Sequence, residues 1–128
     1  MARALCRAAA AFLIGIGSAA AAEKSVRIGV LNDQSSIYAD MGGPGSVVAA
    51  HIAAADSGLR ERGWTVEILV ADHGNKADVA STITRQWFDT QGVDAVADVT
   101  NSAAALAVSQ IVRDKNKVML ASGPAVSD

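Results

Sequence analysis

Cysteine is almost absent from this chain: Cys6 is the only one among 128 residues. It stands before an apolar run rather than after it, so it is not placed like a lipoprotein anchor. Downstream of it there is neither a disulfide framework nor a thiol for chemistry. The two histidines, His51 and His73, have no ligand spacing with each other or with a cysteine, which argues against a zinc site. Basic residues number 11 against 13 acidic ones, a net charge of −2. Phosphate backbones are held by clustered Lys and Arg, so this acidic balance argues against nucleic acid as a partner. No apolar run reaches the roughly 20 residues that cross a bilayer as a helix. Two catalytic signatures are also missing. There is no G-x-S-x-G elbow, and Gly42-Gly43-Pro44-Gly45 comes about ten residues too late after the first strand, and with a proline, to be a dinucleotide fingerprint.

The N-terminus carries its own signature. Arg3 and Arg7 supply positive charge, Ala8 to Gly17 is apolar, and Ala20-Ala21-Ala22 is a small-residue cleavage site. Residues 1–22 are therefore expected to be a signal peptide cut near Ala22. Loss of Arg3, Arg7 and Cys6 with it leaves residues 23–128 more acidic and free of cysteine.

Beyond residue 22, β-branched runs alternate with helical periodicity. Strands are expected at 26–31, 64–70, 93–99 and 118–121. Pro44 suits the first turn of a helix, where its missing N–H costs nothing, and Val48, Ile52, Ala55 and Leu59 recur on one face of that helix. Asn75 is a candidate cap for a second helix, with Asp78 at its third position; Val79, Ile83 and Trp87 form its stripe, and Gly92 closes it. Ala103 to Lys115 reads as a third helix with Val108, Ile111 and Val112 inward. Trp64 and Trp87 read as packing residues, Asp72 and Asp78 as turn and cap residues. Asp33 follows the first strand, where a receiver domain carries its phosphorylated aspartate, but an exported chain meets no cytoplasmic kinase. Repeated strand–helix units with short connections predict an α/β fold, a parallel Rossmann-like sheet with helices on both faces. Ligands of such sheets bind at the carboxyl ends of the strands, here the segments 32–43, 71–76, 100–103 and 122–128.

Four stretches, in order and spacing, resemble one family. They are Ile28-Gly-Val-Leu-Asn-Asp-Gln-Ser-Ser-Ile-Tyr-Ala-Asp-Met-Gly-Gly-Pro-Gly, Ala71-Asp-His-Gly-Asn-Lys-Ala-Asp, Asp98-Val-Thr-Asn-Ser-Ala and Ser122-Gly-Pro-Ala-Val-Ser-Asp. Together they are similar to the type I periplasmic solute-binding proteins of the branched-chain amino acid ABC transporter group, the leucine-binding-protein-like receptors. The resemblance implies two lobes joined by a hinge, with a solute held in the cleft and passed to ABC permease subunits at the inner membrane. It implies a periplasmic location, no cofactor, no metal and no catalytic residue. Residues 23–128 would be an incomplete N-terminal lobe. The solute's carboxylate would meet Asn101, Ser102 and Ala103 after the third strand, and Pro124, Ala125 and Val126 after the fourth. Met41 falls near where many members place an aromatic wall residue, with Tyr38 close by. Many members carry Thr at the position of Val126; valine keeps the backbone donor and lacks the hydroxyl, which favours a carboxylate with an apolar or aromatic body over an α-amino acid.

Local chemistry points the same way. Ser102 stands just before the third helix, and a helix N-terminus offers unpaired donors and partial positive charge to a carboxylate. The plainer reading, that Asn101 or Ser102 only caps the helix, is compatible with binding. Two other functions share the fold: a ligand-sensing receptor domain, and a secreted enzyme, which would need a nucleophile or metal constellation at the strand ends. Cleft closure needs two lobes, so a chain of this length is expected to be a fragment or a truncated remnant, marginally stable and weak in binding.

Overall fold

A computed structural model describes residues 23–124; the expected signal peptide and the candidates Ala125 and Val126 lie outside the described residues. The element order is β1 (Ser25–Asn32), α1 (Gly43–Asp56), β2 (Thr65–Asp72), α2 (Ala77–Thr90), β3 (Ala95–Ala97), α3 (Ser102–Asp114) and β4 (Val118–Leu120). The four strands form one sheet in the order β2-β1-β3-β4, every pair parallel. Ser25 to Asn32 pair with Thr65 to Asp72 residue by residue, and Gly29 also pairs with Val96. The expected α/β parallel sheet is the observed one.

Strand order dictates the layers. The connection through α1 runs outward to the β2 edge, whereas those through α2 and α3 run the opposite way to β3 and β4. Right-handed crossovers therefore place α1 on one face and α2 with α3 on the other. Alternation along the strands agrees. Leu31, Val96 and, partly, Leu69 and Met119 join the core with Ala80, Trp87, Ala104 and Val108 of α2 and α3. Ile28, Val30, Val66 and Ile68 line, with Ala50, Ala53 and Ala54 of α1, an apolar groove of about 260 Å³ on the opposite face. Gly29 makes the first packing possible: the Trp87 ring lies where a side chain at 29 would be.

Four local expectations need correction. Val48 and Ile52 share a face of α1, but it is the exposed one, 58% and 56% accessible, while alanines face the sheet. Alanine and valine surround this helix, so periodicity alone could not choose its inner side. The buried stripe of α2 is Ala80, Thr84 and Trp87, with Val79 and Ile83 only half-buried; the Thr84 hydroxyl donates to Ala80 O at 2.8 Å and so enters the core satisfied. Asn75 does not cap α2. Lys76 stands at the cap position without a side-chain bond, and Asn75 occupies the left-handed region at φ 60, which Asn tolerates. The third strand is only Ala95–Ala97, although Val93 and Val99 beside it are both fully buried. The stripe of α3 is as expected: Val108, Ile111 and Val112 are buried. Gly92 closes α2 at φ 64, turning the chain so that Val93 N–H returns to Trp87 O.

Candidate functional site

The carboxyl ends of the strands carry a connected set of polar side chains. Asn32, the last residue of β1, is fully buried. Its Nδ2 donates to Gly43 O and to Asp98 Oδ2, both at 2.9 Å, fastening the start of α1 to the end of β3. Asp98 sits at φ 61 and accepts from the Ser122 hydroxyl through its other oxygen. One carboxylate thus ties the loops after β1, β3 and β4 together. Close backbone approach completes the junction. A Cβ at Gly42 would meet Thr100 Cγ2 at 3.1 Å, and one at Gly123 would meet Thr100 Cα at 3.2 Å.

The loop after β1 is organised by Asp33, also fully buried. It accepts from Ser36 N at 3.0 Å, Ser36 Oγ at 2.5 Å and Tyr38 N at 2.9 Å. Burial alone would raise the Asp33 carboxyl, but the Ser36 hydroxyl and the N–H groups of Tyr38, Ser36 and Ser35 outweigh it and hold the group below its ordinary value. A short turn follows, in which Met41 N–H and Gly42 N–H both return to Tyr38 O. Tyr38 is half-buried there, whereas Met41 is 77% exposed.

After β2, Asp72 Oδ1 accepts from Gln34 N at 3.0 Å and Gly74 N at 2.7 Å, linking this loop to the first. Burial pushes the Asp72 carboxyl up, and hydrogen bonds from Ser35, Gln34 and Gly74, with the nearby His73, bring it below the ordinary carboxylate value. His73 is 1% exposed. Its N–H donates to Asn32 O at 2.9 Å, and its Nδ1 accepts from Asn75 N at 3.0 Å. Burial lowers the imidazole pKa more than the carboxylates of Asp33, Asp72 and Asp98 raise it.

Asn101 caps α3. Its Oδ1 accepts from Ala104 N at 2.8 Å, and its Nδ2 donates to Asn75 Oδ1. Ser102, the first residue of the helix, is half-buried and Ala103 beside it is exposed. Asn32 Oδ1, His73 Nε2 and Thr100 Oγ1 are buried without a hydrogen-bond partner among the described residues. No group of three His, Cys, Asp or Glu side chains among those residues could hold a metal ion.

The structure thus gathers Asn101, Ser102 and Ala103 at one helix N-terminus. It lays Gly123 against Thr100 of the loop before that helix, with the half-buried Pro124 next in the chain, and sets Tyr38 and Met41 in the loop that meets it through Gly42. The sequence reading missed the supporting set, Asn32, His73, Asn75 and Asp98. A polar residue directly after a β-branched run, as at Asn32 and Asp98, was the available signal; the link from Asn75 to Asn101 spans 26 positions and left none.

This is the doubly wound class of sheet in which ligands settle at the carboxyl ends of the strands. The chain belongs to the periplasmic binding protein family, whose model matches residues 25–128. It is 46% identical to a branched-chain amino acid ABC transporter periplasmic ligand-binding protein from Burkholderia xenovorans, over 79% of this chain and 27% of that one, with a TM-score of 0.75. A periplasmic binding protein from Burkholderia mallei is 39% identical over the same shares, with a TM-score of 0.74. A solute-binding protein of an ABC transporter from R. palustris, in complex with 4-hydroxybenzoate, shares the fold at 20% identity and a TM-score of 0.69, over 81% of this chain and 28% of that one. No curated protein matches the chain. The chain spans just over a quarter of the length of these relatives, which are solute-binding proteins rather than enzymes.

Proposed function

We propose that residues 23–128 form the first part of the ligand-binding lobe of a solute-binding protein that delivers a small carboxylate to an ABC permease, after export on the signal peptide at 1–22. The reading rests on the convergence of three strand-end loops at the N-terminus of α3. The first-turn backbone around Ser102 and Ala103 would receive the carboxylate, since helix N-termini present donors and partial positive charge. Tyr38 and Met41 would border the body of the solute, and Pro124, Ala125 and Val126 would add backbone contacts. Valine at 126 offers no hydroxyl to an α-ammonium group, so an aromatic or aliphatic acid is favoured over an amino acid.

A partial lobe supplies only part of the contacts, so millimolar affinity is expected of this chain. The test is an NMR titration of the isotope-labelled chain with 4-hydroxybenzoate and, separately, leucine. Amide shifts confined to residues near 38–42, 101–105 and 123–126, larger for the aromatic acid, support the reading. Shifts elsewhere, or none at millimolar concentrations of either probe, refute it.

A further inference from the structure

The hydrogen bonds behind Asn101 all run in one direction. Ala104 N–H is a donor, so Asn101 must offer it Oδ1, as observed. That choice turns Nδ2 toward Asn75, whose side chain must then present Oδ1. Asn75 in turn gives its backbone N–H to His73 Nδ1. The imidazole accepts at Nδ1 only while that nitrogen carries no proton, so neutral His73 bears its proton on Nε2. Gly74 and Asn75 are both left-handed, at φ 53 and 60, which bends the loop after β2 until its tip reaches α3. His73 is not accounted for by packing alone: a buried imidazole with one nitrogen unmatched is a costly way to fill space.

From this geometry we infer that His73 and Asn75 are positioning residues of the candidate solute site: they brace the Asn101 side chain in the orientation that Ala104 N–H selects, through a one-way relay that requires an unprotonated His73 Nδ1. The inference rests on the reading of α3's N-terminus as that site. Ionisable groups around the ring come from every neighbouring element. They are Asp33 after β1, Asp72 in β2 and Asp98 after β3; Asp78 in the first turn of α2 is the acid of that helix start, and the first turn of α3 contributes no acid. The three carboxylates that act on the ring favour its protonation, burial opposes it, and burial prevails. The relay is therefore closed at neutral pH. When Nδ1 takes a proton it becomes a donor facing the Asn75 N–H donor, and the brace on Asn101 opens.

Nitrogen–proton NMR of the chain between about pH 8 and about pH 5 tests this, because imidazole charge changes in that range. At neutral pH the His73 nitrogens should show the Nε2–H tautomer. On acidification the Asn75 amide and the Asn101 side-chain amide should move on the same curve as the imidazole. Asn75→Gly keeps the left-handed backbone and removes only the acceptor. In that variant the Asn101 side-chain amide should lose the pH response, and Ala104 amide exchange should quicken by on the order of fivefold as the cap loosens. An Nδ1–H tautomer, or an Asn101 response unchanged by Asn75→Gly, overturns the relay. Titration with 4-hydroxybenzoate at both ends of the range separates the two ideas. A relay that behaves as described without probe shifts at α3 condemns the site reading, and probe shifts with no pH-linked Asn101 response condemn the relay.

Discussion

Gly29→Ala isolates one contact on which the layer of α2 depends. Gly29 lies in the central strand, paired with Leu69 on one side and Val96 on the other. A Cβ there would fall 2.2 Å from Trp87 Cζ3, 2.4 Å from Cε3 and 3.0 Å from Cη2. Relaxed carbon contacts are about 3.5–4.0 Å, so ring and strand must separate by more than about 1 Å. Neither can yield cheaply. The strand is held by ladders on both sides, and Trp87 is 5% exposed within the core. Glycine to alanine in an extended strand would otherwise stabilise by roughly 0.4–1 kcal/mol through the unfolded chain; overpacking costs about 1–3 kcal/mol and decides the sign. For a domain of this size each 1 kcal/mol moves Tm by about 4–8 °C, so Gly29→Ala should lower it by on the order of 10 °C. Urea unfolding of Gly29→Ala, Trp87→Leu and the double variant is the assay. Trp87→Leu leaves a void that the new methyl helps to fill, so the two changes should couple by at least about 1 kcal/mol. Strict additivity, or a Gly29→Ala midpoint equal to wild type, would refute the packing argument.

Asn101→Ala should cost about 1 kcal/mol, as lost helix caps do, and abolish the probe shifts at α3. Asn101→Asp should retain most of the stability, because a carboxylate oxygen still accepts from Ala104 N; comparison of urea midpoints decides. Asp33 and Asp72 have folded pKa values below their unfolded ones. Their stabilisation is present above about pH 4 and lost as pH falls through the folded values, a loss that Asp33→Asn should reduce in acid titrations followed by circular dichroism. His73 has the opposite charge and a lowered folded pKa. Above about pH 6.5 it is neutral in both states; below that the unfolded chain takes the proton first, so stability declines until the folded value is passed. His73→Gln should remove that near-neutral portion of the pH dependence.

The parallel sheet was legible because Val66, Ile68 and Val70, and the runs around β1 and β3, carry strand signals that no competing period disturbs. The inner face of α3 was legible for the same reason: Val108, Ile111 and Val112 stand on a helix otherwise rich in small and polar residues. α1 was not, because Val48 and Ile52 are apolar in a helix where the alanines are the residues that reach the sheet. The position of the candidate site at the strand ends was proposed from the fold class, and the capping role of Asn101 was legible from its place before an apolar helix. The support behind it was hidden, since His73 Nδ1, Asn75 and Asn101 meet only after the β2 and β3 loops are brought together. Asn75 in particular has a side chain suited equally to capping α2 and to reaching across; its left-handed backbone selects the second.

Handedness leaves one part of the sheet uncovered, and this too can be tested. α1 serves the β1–β2 side of its face, while α2 and α3 lie on the other, so nothing in the described chain covers β4 on the α1 side. The alternation of β4 records this. Val118 and Leu120 are 54% and 59% exposed, whereas Met119 between them packs partly against the core under α3. Lysine at 118 or 120 keeps its charged end in water and should change stability by less than about 0.5 kcal/mol. Lysine at 119 must carry an ammonium toward Val96 and Val108 or withdraw from the core, and should cost about 2–3 kcal/mol. Urea midpoints of Leu120→Lys and Met119→Lys measured on the same chain give the contrast directly. Equal losses would mean that β4 is buried on both faces, and the assignment of α1 alone to that side of the sheet would be wrong.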